Sequence, residues 1–253
     1  MDGWLLDAAQ WSAVRLSVQV ALVATLATLP LGIVLGYLLA RRQFWGRSAV
    51  ETLLSLPLVL PPVVTGYLLL VTFGRRGWLG HALESWFGLS IAFTWKGAAL
   101  ASAVMAFPLM LRAIQIAMAQ VDVGLEQAAR TLGASRLETF WRVTLPLARR
   151  GVVAGALLAF TRGLGEFGAT IMIAANIPGE TQTMPLYIYS ALGTPDGLKS
   201  SSGLVIASVL IAGGALWLAQ RLERTGRNNS KRHGTQRNAP QAVRAGGELG
   251  SGQ

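Results

Sequence analysis

The sequence predicts an all-α polytopic membrane protein, and three observations carry that prediction. Of the 253 residues, 52% are hydrophobic and only 13% charged, whereas a soluble domain carries about 25% charged residues. Several apolar stretches approach or exceed the roughly 20 residues that a helix needs to cross about 30 Å of hydrocarbon. The basic residues gather between these stretches, so the net charge of +10 reads as an orientation signal rather than a nucleic-acid footprint. There is no cysteine, which excludes disulfides and thiolate chemistry. His81 and His233 lie far apart, so no His/Cys metal site is expected. Asp2 and Asp7 precede the first basic residue, Arg15, unlike the positive start of a secretory signal, and no cleaved signal is expected.

The first span is expected over 15–40, ending at Arg41 and Arg42, with Pro30, Gly32 and Gly36 marking close packing or a kink. Residues 4–11 are too short and acidic for a further span and fit an amphipathic interfacial helix. The second span, 50–73, contains Pro57, Pro61 and Pro62, and the later prolines remove amide donors from the helical ladder. Irregular backbone at that depth is tolerated only inside a bundle or beside a wet cavity. The third span, 97–119, contains Pro108; a polar, Arg-rich loop over 122–147 follows; the fourth and fifth spans are expected over 151–174 and 203–218.

Of the 22 Lys and Arg, 16 fall on one side: Arg41, Arg42 and Arg47, six from Arg112 to Arg150, and seven from Arg221 to Arg244. That side is expected to be cytoplasmic, which puts the N-terminus outside and the C-terminus inside. Arg15, Arg75, Arg76, Lys96 and Lys199 fall outside or near the outer edge, and Arg162 lies within a span. The membrane domain is therefore expected over 1–221, and 222–253 reads as a basic, disordered cytoplasmic tail with too little apolar content to bury a core.

The loop over 122–147 reads as a helical hairpin. Glu126 to Leu132 forms its first helix, Ala128 and Ala129 leave a small-residue surface, and Gly133 permits a backbone geometry that a side chain would obstruct. Ser135 caps a second short helix, with Glu138 at the N3 position of a capping box. That helix carries Leu137, Phe140 and Trp141 before Pro146 redirects the chain into the fourth span. Such a hairpin suits insertion into a cleft on another protein, and periodicity alone equally allows a packed amphipathic connector.

Its spacing carries a resemblance. Gln127-Ala128-Ala129, three residues, Gly133, nine residues, then Val143-Thr144-Leu145-Pro146 resembles the EAA loop of binding-protein-dependent ABC importer permeases. Gln127 stands where that family usually has Glu, and Val143 where it has Ile, although Glu126 sits one residue earlier. The stretches 55–67, 162–170 and 176–189 are similar to the molybdate branch, and sulfate and tungstate permeases share parts of them.

The resemblance implies a type I ABC importer permease fold with about five transmembrane helices and a cytoplasmic coupling hairpin, in a bacterial inner membrane. It implies that a second copy of the chain completes the pathway, that a cytoplasmic ABC ATPase dimer docks below, and that an extracytoplasmic oxyanion-binding protein docks above. The coupling residues it implies are Glu126, Gln127, Ala128, Ala129, Gly133, Ala134, Ser135, Leu145 and Pro146. No Gly-x-x-x-x-Gly-Lys-Ser/Thr loop occurs, so the chain is expected to be no enzyme and to bind no cofactor, with ATP and Mg held by the partner ATPase. No nucleic-acid partner is expected.

An oxyanion crossing hydrocarbon needs polar or cationic relief. Pro57, Pro61, Pro62 and Thr65 either expose backbone groups and a hydroxyl to the pathway or form a kinked packing helix. Arg162 and Glu166, spaced i, i+4 on one face, fit a gate or an internally compensated structural pair, with Thr170 close behind. Gly163, Gly165 and Gly168 around them favour bending or close packing. The outer loop over 176–202, with Pro178, Thr181, Thr183, Pro185, Tyr187 and Tyr189, suits an interfacial helix or a docking surface. A secondary transporter is the alternative of a different class; it predicts internal repeats and more intramembrane acids, and neither is seen. Molybdate is the expected anion, with sulfate and tungstate the nearest alternatives.

Overall fold

The computed structural model describes residues 6–195 and 197–237, with side chains described as far as Arg221. Its elements are α1 (Ala8–Arg41), α2 (Arg47–Val59), α3 (Pro62–Phe73), α4 (Trp78–Phe87), α5 (Trp95–Ala119), α6 (Val123–Thr131), α7 (Arg136–Thr139), a π-helical segment (Phe140–Thr144), α8 (Leu145–Leu164), α9 (Gly168–Ala174), α10 (Met184–Ala191) and α11 (Gly197–Arg237). Among the described residues, four helical stretches are long and apolar enough to cross a membrane: α1, α5, the run from α7 through α8, and α11 to Arg221.

α1 begins where Asp7 and Gln10 close a capping box, so its start lies at Ala8 rather than at 15. Trp11 therefore belongs to this helix rather than to a separate interfacial one; Trp4 lies outside the described residues. One stripe of α1, from Ala13 through Ser17, Ala21 and Ala24 to Gly32, Gly36 and Leu39, is buried, which is the spacing of a single helical face. α5 is the central post, with thirteen of its 25 residues buried. Small residues let its neighbours close on it. A Cβ on Gly36 of α1 would lie 2.7 Å from Ile114, and one on Gly151 of α8 would lie 2.3 Å from Ala117. Gly155 meets Ala113 one turn on, so a Gly-x-x-x-Gly row faces an Ala-x-x-x-Ala row.

These contacts fix the directions. Arg41, at the foot of α1, reaches the Val121 carbonyl just beyond the foot of α5, and Arg15 and Trp95 line one cleft at their other ends; the two helices run parallel. α8 runs opposite, pairing Gly151 with Ala117 at the foot and Gly163 with Ser102 higher up. α11 starts beside α1, where the Gln10 amide donates to the Ser200 carbonyl, and the Met184 N–H of α10 donates to the buried Ser17 hydroxyl at 2.7 Å. Between α1 and α5 the chain must return to the far end, and α2 with α3 makes that passage. Among the described residues, five passages result when the bent α2–α3 pair counts as one.

Two expected spans are broken. Over 50–73 the chain forms two helices bent by 110°, because Pro61 and Pro62 cannot donate to the ladder and Leu60 is extended. Each piece is only about 20 Å long. The span expected over 151–174 ends at Leu164 and resumes as α9 at Gly168. The last helix starts at Gly197 and its backbone stays helical to Arg237, where disorder is expected from 222 onward. Propagation from an established helix is inexpensive, and no proline interrupts 222–237. Residues 238–253 of that tail lie outside the described residues.

α4 has no counterpart among the expected elements. It ends on Gly88 in the left-handed region and exposes Trp78, Trp86 and Phe87, aromatic residues suited to the headgroup level.

Candidate functional site

Two regions hold the expected site residues. The first is the hairpin over 122–147, which lies at the foot of the bundle beside Arg41. Asp122 caps α6 by accepting the Gly124 N–H at 2.8 Å, and Gly133 turns the chain at φ +92°, where an added Cβ would meet nothing within 4 Å. Ser135 and Glu138 then close the expected capping box at 3.2 and 2.9 Å. No residue of α6 is buried. Leu132 is 89% exposed, and Leu125, Leu137 and Trp141 also stand out in the open.

Gln127, Ala128, Gly133, Ser135 and Pro146 are exposed; Ala129, Ala134 and Leu145 are half-buried. Phe140 differs from Leu137 and Trp141, turning inward to meet Tyr37 edge-on at 4.9 Å. Leu125 and Leu132 are missed by the motif, although their i, i+7 spacing around Ala128 and Ala129 marks an apolar face.

Glu126 also turns inward. Its Oε1 lies 3.0 Å from the Arg41 guanidinium and accepts from the Thr144 hydroxyl at 2.7 Å.

The second region is the joint where the two broken spans meet. A Cβ on Gly168 would lie 2.7 Å from Pro62, and one on Gly66 would lie 2.6 Å from the Ala169 carbonyl oxygen, so α3 and α9 touch backbone to backbone. Of the expected residues, Pro62 meets Gly168 across this joint and Arg162 pairs with Glu166 beside it, while Pro61 precedes α3, Thr65 lies in α3 and Thr170 lies in α9. Glu166 is buried and uses both oxygens: Oε2 accepts from Arg162 at 2.7 Å, and Oε1 accepts the Ala169 N–H at 2.9 Å, capping α9. The side chain of Arg162 keeps 31% of its surface exposed, against 1% for Glu166. The buried hydroxyls of Thr65 and Thr170 have no hydrogen-bond partner. A bent-backbone joint containing an ion pair and two unused hydroxyls can rearrange its hydrogen bonds without first breaking hydroxyl partners.

At the end opposite the hairpin, a cleft of about 550 Å³ opens between Ser12, Arg15, Gln19, Lys96 and Glu180. The outer loop beside it folds into α10, and its exposed Tyr189 meets Phe167 at 5.1 Å.

Residues 8–226 match the family described as binding-protein-dependent transport system inner membrane component. The chain is 51% identical over 223 residues to the molybdenum transport system permease protein ModB of Escherichia coli (strain K12), covering 88% of this chain and 97% of that protein. It is 50% identical over 217 residues to the protein of the same name from Haemophilus influenzae, covering 84% and 95%. Among solved structures, a bacterial ABC transporter involved in the import of the acidic polysaccharide alginate superposes with a TM-score of 0.63 at 18% identity, over 88% of this chain and 80% of that one. That likeness shows the fold alone: the all-α fold of an ABC importer's membrane subunit.

Proposed function

The chain belongs to the binding-protein-dependent transport system inner membrane components, a family of non-catalytic transporter subunits, and from that premise we propose that it is the permease of an ATP-driven molybdate importer. The observation that carries the anion is the 51% identity to a molybdenum permease over 223 residues. Two copies would line one pathway, with the joint of Pro61, Pro62, Thr65, Arg162, Glu166 and Thr170 facing it. The hairpin, with Gln127, Ala128, Gly133 and Ser135 of the expected EAA-loop residues and Leu125, Leu132, Leu137 and Trp141 in the open, would enter a cleft on a cytoplasmic ABC ATPase dimer that supplies ATP and Mg. The foot of the bundle would then be cytoplasmic, with the N-terminus outside and the C-terminus inside. An oxyanion-binding protein would dock at the opposite end, where Arg15 and Lys96 flank the cleft.

Replacing Gly133 by Asp tests the docking. The site is open to a Cβ, so membrane insertion is expected to persist while capture of the ATPase in detergent is lost; normal capture contradicts the reading. In proteoliposomes, uptake of molybdate is expected to require ATP and the ATPase. Uptake driven by a proton or sodium gradient without the ATPase would instead support a secondary transporter.

A further inference from the structure

If 122–147 is the ATPase-coupling hairpin, as proposed above, its motion must reach the membrane helices. Along the chain, a push on α6 reaches α8 only through the left-handed turn at Gly133, the four residues of α7 and the π segment. A π turn is a local interruption of helical geometry and a frequent feature of functional sites. A second path bypasses all three. The Glu126 carboxylate holds Arg41, in the last turn of α1, and Thr144, at the end of the π segment. The same Arg41 Nη2 donates to the Val121 carbonyl at 2.7 Å, just ahead of α6.

The burial is that of a built connection. The Arg41 and Glu126 side chains are each 12% exposed, and Thr144 is fully buried. An ion pair so shielded, with charge-assisted hydrogen bonds on both partners, is held much more firmly than an exposed surface pair. Beneath it, the Tyr37–Phe140 ring contact fills the space between α1 and the π segment. The Arg41 Nε is buried without a partner, so the guanidinium keeps one donor for a second arrangement.

We propose that Arg41, Glu126 and Thr144 form a strut that delivers the hairpin's displacement directly to α1, so that α1 and α8 move together. Glu126 is in this view a positioning residue and makes no contact with the ATPase. α1 runs the height of the bundle, packs along α5 and meets α8 where Ala21 lies against Gly163, so a displacement at its foot reaches the turn of α8 that carries Arg162.

The test uses the whole transporter, permease with its cognate ATPase and binding protein, in proteoliposomes, and reads both ATPase capture and molybdate taken up per ATP hydrolysed. Glu126→Gln and Thr144→Val are expected to keep capture within about twofold of the unaltered chain and to lower uptake per ATP about fivefold or more, the lower range of measured couplings between sites. Thr144→Ser, which keeps the hydroxyl, is expected to retain coupling, and this separates a lost strut from a misfolded one. Unchanged uptake per ATP in both altered chains overturns the strut and leaves the docking reading standing. Loss of capture in Glu126→Gln also overturns it, because the carboxylate would then be a contact to the ATPase. Failure of the docking reading itself shows elsewhere, as normal capture by Gly133→Asp.

Discussion

The hairpin and the joint invert each other. In the hairpin, apolar side chains face outward and the charged groups that anchor it are folded beneath. In the joint, a carboxylate and two hydroxyls are sealed inside while glycines form the surface of contact. Apolar groups left in water gain from a partner, and buried hydroxyls without partners gain from movement. On the proposed reading, the same chain separates a docking surface from a joint that rearranges.

The largest expected effect lies in the joint. Glu166→Leu strands Arg162 and uncaps α9, and should cost about 3 kcal/mol, the lower edge of the range for breaking a buried pair, because Arg162 keeps some solvent. Thermal unfolding of the purified permease in detergent measures it, and a chain altered at both Arg162 and Glu166 to Leu should recover part of the loss. Next comes a pair of glycines. Gly66→Ala forces a carbon against the Ala169 carbonyl and should cost about 2 kcal/mol by overpacking. Gly133→Ala meets open space and should cost only about 1 kcal/mol, for its left-handed backbone. If the hairpin glycine proves the more costly, the contrast between the regions fails.

A smaller effect belongs to the hairpin surface. Trp141→Ala should leave unfolding within about 0.5 kcal/mol and weaken ATPase capture by about 1 kcal/mol, measured by titration of the ATPase against detergent-solubilised permease. The smallest effect is Thr170→Val, which replaces an unpartnered buried hydroxyl by a methyl of similar shape. It should be neutral or stabilising by under about 1 kcal/mol, and a marked loss of stability would show that the hydroxyl is satisfied after all.

Much of this was legible because it is written locally. Hydropathy marks the passages through the bundle, and Pro61-Pro62 marks the first break. The EAA-like spacing marks the hairpin, and Ser135 with Glu138 marks its second helix. The break after Leu164 was only half legible: Gly163, Gly165 and Gly168 announce freedom to bend, but the capping of α9 by Glu166 depends on where the backbone goes. The inward turn of Glu126 was hidden, because its partner Arg41 lies in another helix, eighty residues from the Val121 carbonyl it also binds. The motif groups Glu126 with its sequence neighbours, and the fold separates them.

The tie between Met184 and Ser17 sets a schedule for biogenesis. The two residues are 167 positions apart, and Gln10 waits 190 positions for Ser200. At synthesis rates of about 5–20 residues per second, α1 spends roughly 10–40 s in the membrane before its polar side chains meet their final partners. α1, although it precedes α10 and α11 along the chain, is therefore completed only when they arrive, and for that interval lipid, water or the insertion machinery must stand in for them.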